Sequence, residues 1–129
     1  ADLVTHEDVA FTKEAADQNT SRFFERNTRY LVTLAQTMGA EVVLISEPYT
    51  EEAGETRIVL MPEHNTIMEK VAREEGVYFF DFAEVMTKDK EHLPDGRHVS
   101  QKGSDLKRDL YFQYLEEQGL VEKMLSGLQ

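Results

Sequence analysis

Asp95 and His98 have the residue types and the spacing for proton-transfer chemistry. They stand three positions apart in the run Leu93-Pro94-Asp95-Gly96-Arg97-His98-Val99-Ser100-Gln101-Lys102-Gly103. Pro94 and Gly96 are turn formers, so Asp95 falls where the backbone bends. An imidazole at such a junction is a usable general base when a nearby carboxylate fixes its tautomer and stabilises the imidazolium. The plainer reading is that Asp-Gly makes an ordinary turn and His98 is a surface histidine.

These residues need elements to hold them. After Gly103, Leu106, Leu110, Tyr111, Tyr114 and Leu115 recur at helical spacing, which predicts a closing helix over residues 104–117. Upstream, Phe23, Asn27, Tyr30, Leu31, Leu34, Ala35 and Met38 fall on one helical face, and Gly39 follows as a stop. This predicts a helix over residues 20–38. Residues 41–46 are apolar and β-branched, as in a strand buried on both faces of a parallel sheet. Residues 49–57 read as an acidic loop and 58–61 as ambiguous.

Pro62 suits the first turn of a helix running to residue 75, with Ile67, Met68, Val71 and Ala72 inward and Gly76 as its stop. Residues 77–80 read as a second strand ending at Asp81. A helical turn follows at 82–86, then a charged loop at 88–92. Residues 120–128 suggest a last amphipathic segment. Residues 1–19 read as a polar loop with at most one helical turn, anchored by Leu3, Val4, Val9 and Phe11, with His6 at the surface. Strands alternating with helices predict an α/β domain: a parallel sheet with helices on its faces, right-handed crossovers and functional groups beyond the strand ends. Ser46, Glu47 and Asp81 occupy those ends, and the Asp95–His98 loop is expected at the same edge.

The Asp-x-x-His pattern at Asp95–His98, with Ser-x-x-Gly just after it and then the closing helix, resembles the last motif of the SGNH (GDSL-type) hydrolases. The Gly-Ala-x-Val-Val-Leu junction at residues 39–44 is similar to the middle of those enzymes. So is the run Asn-x-x-Met…Val-Ala-x-x-x-Gly-Val-x-x-x-Asp from Asn65 to Asp81. The resemblance covers residues 20–117 and rests on the order of its motifs. It implies a three-layer α/β/α, flavodoxin-like fold and ester hydrolysis by a Ser-His-Asp triad, as in esterases, lipases and acetylhydrolases. Asp95 and His98 take the acid and base positions, the ligand is a small-molecule ester, and no cofactor or metal is implied.

The chain departs from that family in its first blocks. It has neither a Gly-Asp-Ser-Leu-like block with the nucleophile nor a Gly-x-Asn-Asp block for the oxyanion hole. Gly103-Ser104-Asp105-Leu106 holds similar letters at the wrong end of the chain, where Ser104 is expected to cap a helix. Asp2 is the one residue that could match the end of the Gly-x-Asn-Asp block. With only two strands in sight, the expectation is a single domain over residues 1–129 that forms the C-terminal portion of such a hydrolase. Its serine would lie upstream of Ala1, about a hundred residues before Asp95. A missing N-terminal segment or a second copy would cover the open sheet edge. The alternative is a non-catalytic, flavodoxin-like interaction domain.

Other constellations are weaker. His92, Asp95 and His98 are evenly spaced, but Pro94 and Gly96 break any helix that could align them as metal ligands. His64 reads as a surface or packed histidine. Glu47 and Asp81 could form a glycosidase-like carboxylate pair, although strand-end acids more often bind backbone amides. There is no Gly-rich phosphate loop. Composition narrows the classes further. A formal net charge of −11, from 25 acidic against 14 basic residues, argues against nucleic acid and anionic membrane surfaces. Cysteine is absent, which excludes disulfides and thiolate chemistry and leaves the compartment open. No apolar run has membrane-spanning length, and no signal peptide is visible.

Overall fold

A computed structural model describes residues 21–128. The loop reading of residues 1–19, the surface reading of His6 and the match of Asp2 lie outside the described residues. The elements in order are α1 (Ser21–Thr37), β1 (Val43–Ile45), a 3-10 turn (Glu51–Ala53), α2 (Glu55–Glu75), β2 (Tyr78–Phe80), α3 (Phe82–Val85), α4 (Gln101–Glu117) and α5 (Leu120–Ser126). None of these helices is long and apolar enough to cross a membrane.

β1 and β2 pair in parallel, with Val43 opposite Tyr78, Leu44 opposite Phe79 and Ile45 opposite Phe80. The ladder is shorter than the expected strands. It is extended at one end by Tyr78 N–H to the Val42 carbonyl (3.0 Å) and at the other by Ser46 N–H to the Phe80 carbonyl (3.1 Å). Alternation along the strands divides the core. Val42, Leu44 and Val77 pack with Phe24 against Val32 of α1 and Ile67 and Val71 of α2. Val43 and Ile45 pack with Phe80, Phe82, Met86 and Leu93 against Leu106, Leu110, Tyr111 and Tyr114 of α4. Helices therefore cover both faces of a small parallel sheet. Full burial of the strands does not hold: Phe80 is buried, whereas the other paired residues are half-exposed. Among the described residues, each strand is paired along one edge only.

Three helical expectations change. The first concerns α2, which begins at Glu55, so that Pro62 lies inside the helix rather than in its first turn. Proline there removes one hydrogen bond, to the Ile58 carbonyl. The turn before it is nevertheless held down by buried Met61. The acidic loop is correspondingly shorter, and Thr50 accepts a bond from Glu52 N–H to open the 3-10 turn.

The second concerns α1, which packs on a different face from the apolar stripe. Val32 is buried and Phe24 half-buried against α2, while Phe23, Tyr30, Leu31, Leu34 and Met38 are exposed. Arg29 stands on the packed face, where its guanidinium reaches Glu25 on α1 and Glu74 and Glu75 on α2.

The third concerns α4, which starts at Gln101 with Ser100 as its cap, in place of Ser104. Residues 88–92 also differ from a plain charged loop, since His92 is buried within them.

Candidate active site

The segment from Asp89 to Gly103 is built from two copies of one local device. In the second copy, Asp95 accepts the backbone N–H groups of Arg97 (3.0 Å) and His98 (2.7 Å) through Oδ1. Its Oδ2 lies 2.7 Å from Nδ1 of the His98 ring. One carboxylate thus closes the turn and orients the imidazole. In the first copy, Asp89 Oδ1 accepts the His92 N–H at 3.0 Å and meets the His92 Nδ1 at 2.6 Å. Asp89-x-x-His92 and Asp95-x-x-His98 share spacing and bonding. They differ in burial: the His92 side chain is 11% exposed and that of His98 69%. The buried copy serves the scaffold, and the exposed copy is free to meet a ligand.

The scaffold around His98 is tight. Ser100 N–H donates to the His92 carbonyl (2.9 Å), and the Ser100 hydroxyl accepts Gly103 N–H (3.0 Å), which fixes the start of α4. On the other side, Gly96 accepts Thr50 N–H through its carbonyl (2.8 Å). Gly96 has φ +78°, and a Cβ there would stand 2.5 Å from Thr50 Oγ1 and 2.6 Å from Ala53 N. Only glycine meets both demands at low cost. The turn that carries Asp95 is thereby fastened to the loop after β1.

That fastening puts His98 over the C-terminal end of β1. It lines a cleft of about 300 Å³ together with Ser46, Glu47, Phe82, Arg97 and Lys107. Small-molecule sites begin at about this size. The strand-end residues separate in role. Ser46 is buried; its hydroxyl donates to Asp81 Oδ1 (2.7 Å) and accepts Ala83 N–H (2.9 Å), so Ser46 rather than Asp81 caps α3 with its side chain. Glu47 is held through its backbone, since Asn65 takes its N–H (2.8 Å) and donates to its carbonyl (2.9 Å). Asp81 lines a different groove, beside Glu84 and Tyr114. His64 stacks on Phe24 with ring centroids 3.9 Å apart, and burial lowers its pKa.

The electrostatics favour a charged Asp95. The His98 ring, then the His98 and Arg97 backbone N–H groups, hold its carboxyl well below the usual carboxylate range. An ionised carboxylate only accepts, so Nδ1 of His98 carries the hydrogen in their bond, and in the neutral ring the lone pair is on Nε2. That is the tautomer a general base needs. Asp89 is lowered for the same reason, chiefly by the His92 side chain.

Among the described residues, no uncommitted serine hydroxyl lines the cleft beside His98. The chain has five serines. Ser46 is the one hydroxyl among the lining residues, and it is committed to Asp81 and Ala83. Ser21 is buried, Ser100 caps α4, and Ser126 donates to the Glu122 carbonyl. Ser104, in the first turn of α4, does not line the cleft. Among the described residues, no group of three or more His, Asp or Glu side chains is arranged to hold a metal ion. Sequence reasoning overlooked Asp89, although its Asp-x-x-His repeat was visible. It also overlooked Arg97, Lys107 and the clamp role of Asn65, for which spacing gives no signal. No family model, curated protein or solved structure matches the chain.

Proposed function

We propose that this chain carries the acid–base half of an SGNH-type serine ester hydrolase, with His98 as general base and Asp95 as its orienting carboxylate. The observation that carries the reading is the 2.7 Å Asp95 Oδ2–His98 Nδ1 bond beside a cleft at a strand end. In the reaction, His98 Nε2 takes the proton from a serine hydroxyl as its oxygen attacks the ester carbonyl carbon. The carbonyl electron pair moves onto oxygen, then returns to expel the alcohol, which leaves with the proton from the imidazolium. Water repeats the sequence on the acyl-serine and releases the acid. The serine and the oxyanion donors come from outside the described residues. A three-layer, flavodoxin-like sheet, extended along the open edges of β1 or β2 by an N-terminal segment, would supply them.

The test is labelling with a fluorophosphonate in the longest natural polypeptide that carries this sequence. A serine other than the five named here is expected to be labelled, and His98→Ala should abolish the labelling. No labelling, or labelling indifferent to His98, overturns the proposal. A second reading, a non-catalytic interaction domain, draws on the exposed apolar face of α1 and the absence of a free serine beside His98 among the described residues. It predicts no labelling.

A further inference from the structure

α1 turns a long apolar face away from the core that it helps to form. Tyr30, Leu31, Leu34 and Met38, the last just past its end, are between 59% and 78% exposed, and Phe23 joins them at 38%. Phe23, Asn27, Tyr30, Leu34 and Met38 follow one another at steps of three and four residues, the spacing of a helix–helix seam. Along α1 that seam is about 25 Å long. Its five apolar side chains present roughly 500–600 Å² of surface, the upper end of the largest patch on an ordinary monomer. The charge of this face is unlike that of the chain. The chain carries −11, whereas α1 holds three arginines against one glutamate. Glu25 and Arg29 are paired on the packed side, with Lys70, Glu74 and Glu75 of α2. Arg22 and Arg26 stand with the apolar residues. The Arg22 guanidinium lies 5.4 Å from the centre of the Phe23 ring, and that of Arg26 lies 5.0 Å from Phe23 and 6.0 Å from Tyr30. Both cations belong to the first half of α1, and its last turn holds no basic residue.

We propose that α1 is a dimerisation face, on which a second copy of the chain lays its own α1 antiparallel about a two-fold axis near Tyr30 and Leu31. The charges set the direction. A parallel pair would bring Arg22 and Arg26 beside the same two arginines of the other copy. An antiparallel pair brings them beside the other copy's C-terminal turn, where the helix dipole is negative and no cation competes. Over most of their surface two copies of so acidic a chain repel each other, and this cationic, apolar strip is where they close. Two such faces together bury more than about 1,000 Å², the size that a specific interface must clear. None of the residues lining the His98 cleft belongs to α1, so the dimer stands apart from the chemistry proposed there.

The test is sedimentation equilibrium of the longest natural polypeptide that carries this sequence. The mass should rise with concentration to twice that of the polypeptide, with a dissociation constant of about 1–100 µM for an interface of this size. Leu31→Glu and Leu34→Glu should each weaken association about tenfold or more, because each buries a charge in the seam. Arg26→Gln should weaken it too. Peroxide reads the unaltered protein: Met38 should oxidise more slowly at concentrations where the dimer forms, because the seam covers it. A monomer throughout that range, as when another segment of the polypeptide covers α1, overturns the proposal. So does association that both glutamate substitutions leave unchanged. Tighter association on Arg26→Gln, the mark of a parallel pair, overturns the arrangement and with it the proposal. A Met38 oxidation rate indifferent to concentration does the same, and decides the matter even where a variant fails to fold.

Discussion

Gly103 lies against the carbonyl of His92 so closely that a Cβ on it would stand 2.3 Å from that oxygen. The same carbonyl accepts Ser100 N–H, and Ser100 caps the helix whose first turn holds Gly103. The Ser-x-x-Gly that follows the Asp-x-x-His thus has a mechanical meaning. It presses the first turn of α4 onto the turn before it and so sets the height at which His98 stands. Gly103→Ala should lower stability by about 1–3 kcal/mol, because backbone on both sides must shift. Gly96→Ala should cost a similar amount through its positive φ and its contact with the Thr50 loop. Chemical denaturation measures both, and a loss below about 0.5 kcal/mol in either would contradict the packing described.

The two Asp-x-x-His copies should separate stability from function. His92→Ala removes a buried ring bonded to Asp89 and should destabilise the protein by about 1–3 kcal/mol. His98→Ala removes an exposed ring and should change stability by less than about 0.5 kcal/mol. Thermal unfolding of the two variants side by side decides this, and equal losses would count against it. His92→Ala is accordingly a poor activity control.

Much of the fold was legible in the sequence, and the failures have causes. The parallel pairing of the two strands and the stops at Gly39 and Gly76 followed from β-branched runs and helix punctuation. Pro62 misled because burial of Met61 outweighs one lost hydrogen bond, so α2 starts a full two turns earlier. The apolar stripe of α1 misled because periodicity reports a face without its partner. The face that meets α2 instead carries Phe24 and Val32, with Arg29 paired to Glu25, Glu74 and Glu75. At the site, Asp95 and His98 could be named from spacing. Arg97, Lys107 and Asn65 could not, because their roles depend on how far apart in sequence the cleft walls lie.

His64 should make stability depend on pH near neutrality. Burial against Phe24 lowers its pKa below the ordinary value, so the folded state prefers the neutral ring. Its contribution is fully present above the unfolded value of about 6.5 and is lost as pH falls through the lowered folded value. His64→Phe keeps the stacking without the proton, so the decline in stability from about pH 7 to 5 should become shallower. An identical decline in both proteins, measured by urea titration, would contradict this.

Asp95 acts in more acidic solution. Its folded pKa is depressed, chiefly by the His98 side chain, so what it contributes is present above about pH 4 and is lost progressively below. Asp95→Asn should flatten the stability profile between about pH 4 and 2. It should also lower ester turnover by no more than His98→Ala does, since some catalysis survives a poorly oriented base. A steeper acid limb in the variant would show that the sign is wrong.

The most direct measurement is single-turnover acylation by an activated ester in the longest natural polypeptide that carries this sequence. The hydrolase reading predicts that His98→Ala lowers the acylation rate by about a thousandfold or more, with near-unchanged stability, as removal of a triad base does. An acylation rate for His98→Ala within a few-fold of the unaltered protein would contradict it.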